Sequence, residues 1–153
     1  MGIEEKLAEL GIELPSATPP LASYVPVVVA GDLAFVAGQG AIEDGKAIHP
    51  GKVGADVTVE QAQWCARRAA LGALAALKAE LGSLDRVRRI VNVTVYVASA
   101  SGFAQQPQVA NGASDFLAEV MGDAGRHSRA AVGVAELPLG IPVEVSVIAE
   151  VAG

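Results

Sequence analysis

Apolar residues recur at helical spacing between Thr58 and Leu81, with Trp64, Ala70, Leu71, Leu74 and Leu77 on one side of a stretch rich in Ala and Leu. Thr58 followed three residues on by Gln61 forms a capping-box pattern, and Gly82 supplies a stop, so this stretch is predicted to be the long helix. Trp64 and Cys65 then read as packing residues rather than as chemistry. A second period, of two residues, runs through Val87 to Val97, where Val91, Val93, Val95 and Val97 alternate with Asn92, Thr94 and Tyr96. That predicts a strand with one apolar and one mixed face. The basic group Arg86, Arg88 and Arg89 at its entrance reads as a solvated strand end.

The remaining elements are shorter. Ile3, Leu7 and Leu10 mark an amphipathic helix closed by Gly11, and residues 15–20, with three prolines, read as an extended linker. Val25 to Val29 and Leu33 to Ala37 are β-rich runs joined by Ala30-Gly31-Asp32, so they should pair as a hairpin. Glu43 to Asp56 carries three Gly and one Pro with little periodicity and reads as a loop. Val109 to Met121 is a second helix, interrupted by Asn111-Gly112. Arg129 to Val134 and Val143 to Val151 are apolar strands, joined through Leu137 to Pro142. The order β-β-α-β-α-β-β, without repeats, predicts an α+β sandwich: a mixed sheet with two main helices on one face. Residues 1–23 form an extension and 24–153 the domain. The other sheet face needs cover, which points to an oligomer.

At 153 residues and 52% apolar composition the chain can build one compact core. Eleven basic against 17 acidic residues give a net charge of −6, which disfavours a nucleic-acid partner. No apolar run approaches the ~20 residues of a membrane span, so no membrane partner is expected. The acids at Glu4 and Glu5 stand where an export signal would carry a basic stretch, and Cys65 has no partner for a disulfide. Together they suggest a reduced, cytoplasmic protein. His49, His127 and Cys65 are too few for a zinc cage, so no metal is expected. Aromatics make up only 4%, which suits close helix-on-sheet packing and a small polar ligand.

Two charges lie inside otherwise apolar strands, Arg129 and Glu144. Desolvating either alone costs several kcal/mol, so each needs water or a partner. If the last two strands form a hairpin around Leu137, Arg129 comes almost opposite Glu144. The pair is then either a structural ion pair or a site for a small acid, with an Arg fork for a carboxylate and a Glu for water or a proton.

Tyr24-Val25, Ala30 to Gln39, Ser128 to Pro138 and Val143-Glu144-Val145 with Ile148-Ala149 together resemble the RidA (YjgF-type) family of reactive-intermediate deaminases. The resemblance covers about Tyr24 to Ala149. It implies a chorismate-mutase-like fold assembled as a homotrimer, with sites in the clefts between subunits. It implies that Arg129 grips a substrate carboxylate, that Glu144 positions the hydrolytic water, that Tyr24 lines the cleft from a neighbouring subunit, and that the backbone at Ala130 and Ala131 binds substrate. The implied reaction is hydrolysis of 2-imino or enamino acids to 2-oxo acids and ammonia, with no cofactor.

The chain departs from the family pattern at Ala37, where a serine is usual, at Ala131, where a small polar or thiol residue is usual, and at Gly40-Ala41. The expected helix asparagine aligns with Ala110, and Asn111 comes one residue late, a rotation of about 100°. Retention of Arg129, Glu144 and Tyr24 favours an enzyme. The departures favour a trimer that binds small carboxylates without turnover, and the net charge disfavours an endoribonuclease.

Overall fold

The computed structural model describes residues 2–17 and 22–153, so part of the expected linker, residues 18–20, lies outside it. In chain order the elements are α1 (Ile3–Glu9), β1 (Val27–Ala30), β2 (Leu33–Gln39), β3 (Ile42–Glu43), β4 (Lys46–Ala47), α2 (Val59–Leu81), β5 (Val87–Ala98), α3 (Gln106–Met121), β6 (Ser128–Val134) and β7 (Val143–Val151). The predicted order holds, with one addition. Part of the Glu43–Asp56 segment expected as loop is a small hairpin, β3 with β4, whose turn takes left-handed backbone at Asp44 and Gly45.

The α2 helix starts where its capping box predicts. Thr58 Oγ1 accepts from Gln61 N at 3.1 Å, and the Gln61 side chain accepts from Thr58 N at 3.0 Å. Gly82 ends the helix in the left-handed conformation. Its buried face is mostly alanine, Ala62, Ala66, Ala69, Ala70 and Ala73, with Leu74 and Leu77. Such short side chains let α2 lie close on β2 and β7, while α3 packs beside it against β5 and β6. Asn111-Gly112 does not interrupt α3. Gly112 faces the backbone of α2, and a Cβ there would collide with the Gln63 carbonyl oxygen. Glycine is what the helix–helix approach requires.

The main sheet has the order β1-β2-β7-β5-β6. β1 and β2 form the expected hairpin. The last two strands do not. β7 enters the middle of the sheet, antiparallel to both β2 and β5, while β6 pairs in parallel with the far edge of β5. Both runs are as apolar as a hairpin requires, so periodicity alone could not separate these topologies. A second correction concerns Val91. The β5–β7 register slips between Ile90 and Asn92, which buries Ile90 and turns Val91 out of the apolar stripe. Val93, Val95 and Val97 remain fully buried beneath the helices.

Trp64, read from sequence as a core or interface packing residue, is 45% exposed and meets His49 edge-on, so it lies outside the core of the chain, whereas Cys65 beside it is fully buried. Burial pushes the Cys65 thiol up to about 11. Arg86 does more than face solvent: it donates to the Leu81 and Ala152 carbonyls and so ties the end of α2 to the end of β7. The α1 helix is fastened to the domain by buried Ile3 and Leu7 and by Glu4. That carboxylate pairs with Lys78 at 2.6 Å and accepts from Leu84 N at 3.2 Å, and Lys78 holds it below the usual carboxylate range.

Both main helices cover one sheet face. On the other, Val28, Leu33, Phe35 and Val132 stand exposed. Among the described residues no helix is long and apolar enough to cross a membrane.

Gly112→Ala should destabilise the fold by about 1–3 kcal/mol, the cost of forcing atoms into a packed contact. A urea midpoint unchanged from wild type would show that α2 and α3 can separate without loss.

Candidate functional site

Register decides which candidate residues can meet. Arg129 is opposite Val93 on β5, and Glu144 is opposite Tyr96 on the other edge of the same strand. The two side chains are thus two strands across and three residues along, roughly 14 Å between Cα atoms. An odd separation along β5 also places them on opposite faces. The cross-strand pair expected from a terminal hairpin is absent because β5 lies between its members. The six candidates fall into two groups, with Arg129, Ala131 and Asn111 on the helix side and Tyr24, Ala37 and Glu144 around a cavity.

That cavity, about 710 Å³, lies over Gly38, Gln39 and Gly40, beyond the point where β1 stops covering the edge of β2. Glu144 lies across the Cα of Gly38, where any Cβ would collide with its carboxylate. Glycine at position 38, next to last in β2, therefore has a steric reason in this chain. Half-buried, with no counter-charge offsetting its desolvation, the Glu144 carboxyl is pushed above the usual carboxylate range. Tyr24 is half exposed at the rim, and Ala37 contributes only a methyl. Arg68 and Gly72, one helical turn apart on α2, complete the wall facing Gln39. Sequence reading passed over Arg68. The signal was a glycine four residues on in an Ala/Leu-rich helix, which marks a close approach on that same face.

Arg129 is exposed but not free to wander. Its Nη1 donates to Asn111 Oδ1 at 2.8 Å and to Ser114 Oγ at 3.1 Å. Among the described residues Nε and Nη2 have no hydrogen-bond partner, so the side edge of the guanidinium remains available for a planar two-oxygen anion. Asn111 reaches it from the position one residue late, while Ala110 is buried in the core. Ser114 in turn lies 2.9 Å from His127 Nε2, and His127 Nδ1 donates to the Gly125 carbonyl at 2.6 Å. Neither Ser114 nor His127 was singled out as a site residue. The i, i+3 spacing of Asn111 and Ser114 was the available signal.

No three His, Cys, Asp or Glu side chains gather as a metal site among the described residues. Chemically, one group can hold an anion and the other can hold or pass a proton.

Residues 4–151 match the family model described as "YjgF/chorismate_mutase-like, putative endoribonuclease". The chain is 44% identical to Protein TCP17 of Trypanosoma cruzi over 149 residues, 97% of this chain and 93% of that protein. Among solved structures it is similar to Atu1372 of Agrobacterium tumefaciens, a protein of unknown function, at 45% identity and a TM-score of 0.90, covering 98% of this chain and 92% of the other. It also superposes on a "putative endoribonuclease" of Shewanella oneidensis at 33% identity and a TM-score of 0.94, over 99% and 100% of the two chains.

The raised Glu144 pKa has a signed consequence for stability. The folded state binds this proton more tightly than the unfolded state, so the contribution is complete below the unfolded pKa and is lost as pH rises through the folded one. Glu144→Gln should therefore raise the thermal midpoint at pH 7 and leave it unchanged below about pH 4, where both side chains are neutral. A midpoint lowered at pH 7 would mean that the carboxylate is held by a favourable contact.

Proposed function

Because the chain belongs to the YjgF/chorismate-mutase-like family, we propose that it hydrolyses small 2-imino or enamino acids to 2-oxo acids and ammonia. The observation that carries this reading is the half-buried Glu144 carboxyl laid over Gly38 in a cavity large enough for a small metabolite. An imine carbon is already electrophilic, so the protein has to orient it, deliver water and move protons. Water attacks the iminium carbon, the C–O bond forms, the C=N π pair moves to nitrogen, and Glu144 takes the water proton. Glu144 then gives that proton to the amine, the C–N bond breaks, and ammonia leaves as the hydroxyl proton returns to the carboxylate. A carboxyl whose neutral form is favoured by burial can serve in both steps.

Arg129 cannot reach that cavity within its own chain. In this reading a second copy brings its Arg129 to the rim, where the free Nε/Nη2 edge grips the substrate carboxylate beside Tyr24. The exposed apolar face with Val28, Leu33, Phe35 and Val132 supplies a surface for assembly as a homotrimer. A second reading, a trimer that binds small carboxylates without turnover, is favoured by the methyl groups of Ala37 and Ala131, which remove polar donors from both halves of the site.

In a coupled assay, an amino-acid oxidase generates the imine and its clearance is followed against a nucleophilic trap. Glu144→Gln should slow clearance by ~10²-fold or more. Arg129→Ala should abolish it, and Arg129→Lys should not restore it, because an ammonium lacks the planar fork. Clearance unchanged in a folded Arg129→Ala protein would remove the deaminase reading. Wild-type protein that binds carboxylates but clears no imine would favour the binding module. Light scattering should give three times the 15.5 kDa chain mass, and a monomer would break the shared-site geometry.

A further inference from the structure

The chain of polar groups behind Arg129 has a direction. The Gly125 carbonyl can only accept, so at 2.6 Å it fixes the proton of neutral His127 on Nδ1 and leaves Nε2 as an acceptor. The group 2.9 Å from Nε2 is the Ser114 hydroxyl, which must then donate its hydrogen to the ring. With that hydrogen committed, the lone pairs of Ser114 Oγ are left for Arg129 Nη1, the contact at 3.1 Å. One hydrogen therefore sets the orientation of the next group, from the Gly125 backbone to the guanidinium.

We infer that His127 is a positioning residue for Arg129: its neutral Nδ1–H form turns the Ser114 hydroxyl so that oxygen accepts from Nη1, and this holds the free Nε/Nη2 edge outward for a small carboxylate. Protonation of His127 reverses the first bond of this relay: an imidazolium has no lone pair for the Ser114 hydrogen and donates from Nε2 to Oγ instead, so that oxygen must share its two lone pairs between two cationic donors that stand side by side. This inference rests on the proposal that Arg129 is the anion-binding group, and it adds that its grip is pH-dependent.

The surroundings of His127 favour the neutral ring. Burial lowers its affinity for a proton, the charge of Arg129 lowers it further, and only the bond to Gly125 works the other way. From α3 it meets Ser114, which carries no charge, while Asp115 and Glu119 are exposed on that helix. On the turn before it, Asp123 and Arg126 form an exposed pair at 3.7 Å. From β5, Arg89 donates to the Arg126 carbonyl. No carboxylate among the described residues bonds the ring, so no neighbouring negative charge rewards its protonation.

The test reads binding and histidine titration on the full chain, with pyruvate as the carboxylate probe. Nitrogen-15 spectra should show His127 protonated at Nδ1 and bare at Nε2 at pH 8, with its titration moved upward in Arg129→Ala. Wild-type affinity for pyruvate should fall about fivefold as pH drops through the His127 titration, the value of roughly one hydrogen bond. Ser114→Ala should bind about fivefold more weakly at pH 8 and lose that acid limb, and Ser114→Thr should recover both. If His127 acted only through its charge, acid would tighten binding in wild type and in Ser114→Ala alike, and that result overturns the inference. So does a His127 titration identical in wild type, Arg129→Ala and Ser114→Ala. If wild type binds no pyruvate at any pH, the carboxylate reading of Arg129 fails, and the tautomer and the two titration shifts still decide the relay.

Discussion

β7 carries hydrogen bonds along both edges, and its place between β2 and β5 governs the molecule. Its Val143, Val145, Val147, Ala149 and Val151 all point to the helix side, so the apolar layer under α2 is continuous across the sheet centre. The same strand carries Glu144, Ser146, Ile148 and Glu150 on the opposite face. Since β6 must then take the outer edge of β5, Arg129 is left at the margin beside α3. A central strand thus divides the two charges that sequence places fifteen residues apart.

The helices meet this sheet through small side chains. Alanines on α2 and the Gly112 contact remove the space that aromatic residues would otherwise fill, and the core hardly needs them. The same economy shapes the cavity. Gly72 leaves room for the Gln39 side chain, and Gly38 lets Glu144 lie flat on the strand, so both ends of the pocket floor depend on missing Cβ atoms. The helix-on-sheet layer keeps a half-buried carboxylate and its wall at fixed separation.

Much of this was legible in sequence because it is local. The capping box at Thr58 and Gln61, the stop at Gly82 and the limits of β7 all follow from a few adjacent residues. What failed was non-local. The hairpin expected between the last two strands drew on their common apolarity and short connection, and nothing within either run states that β7 prefers two neighbours of other sequence. The expected burial of Val91 failed for a related reason, since a register slip against β7 is a property of two strands and not of one. Asn111 illustrates the converse. Displaced by one residue from the family pattern, it still reaches Arg129, because Ala110 takes the core position and the arginine stem is long enough to follow.

The separation of charges also bears on how the site could work. Within one chain, Arg129 lies close enough to depress protonation of His127, while Glu144, on the other face, has only its own desolvation acting on it. Were a neighbour's guanidinium to reach the Glu144 cavity with nothing bound, it would stabilise the carboxylate and draw that proton away. A substrate carboxylate on the Nε/Nη2 edge would cancel most of the guanidinium field, so the raised proton affinity of Glu144 would return once an anion is seated. In that arrangement the group that binds substrate also sets when its partner holds a proton. The opposite faces of a single sheet are what allow each to be charged, or neutral, independently within one chain.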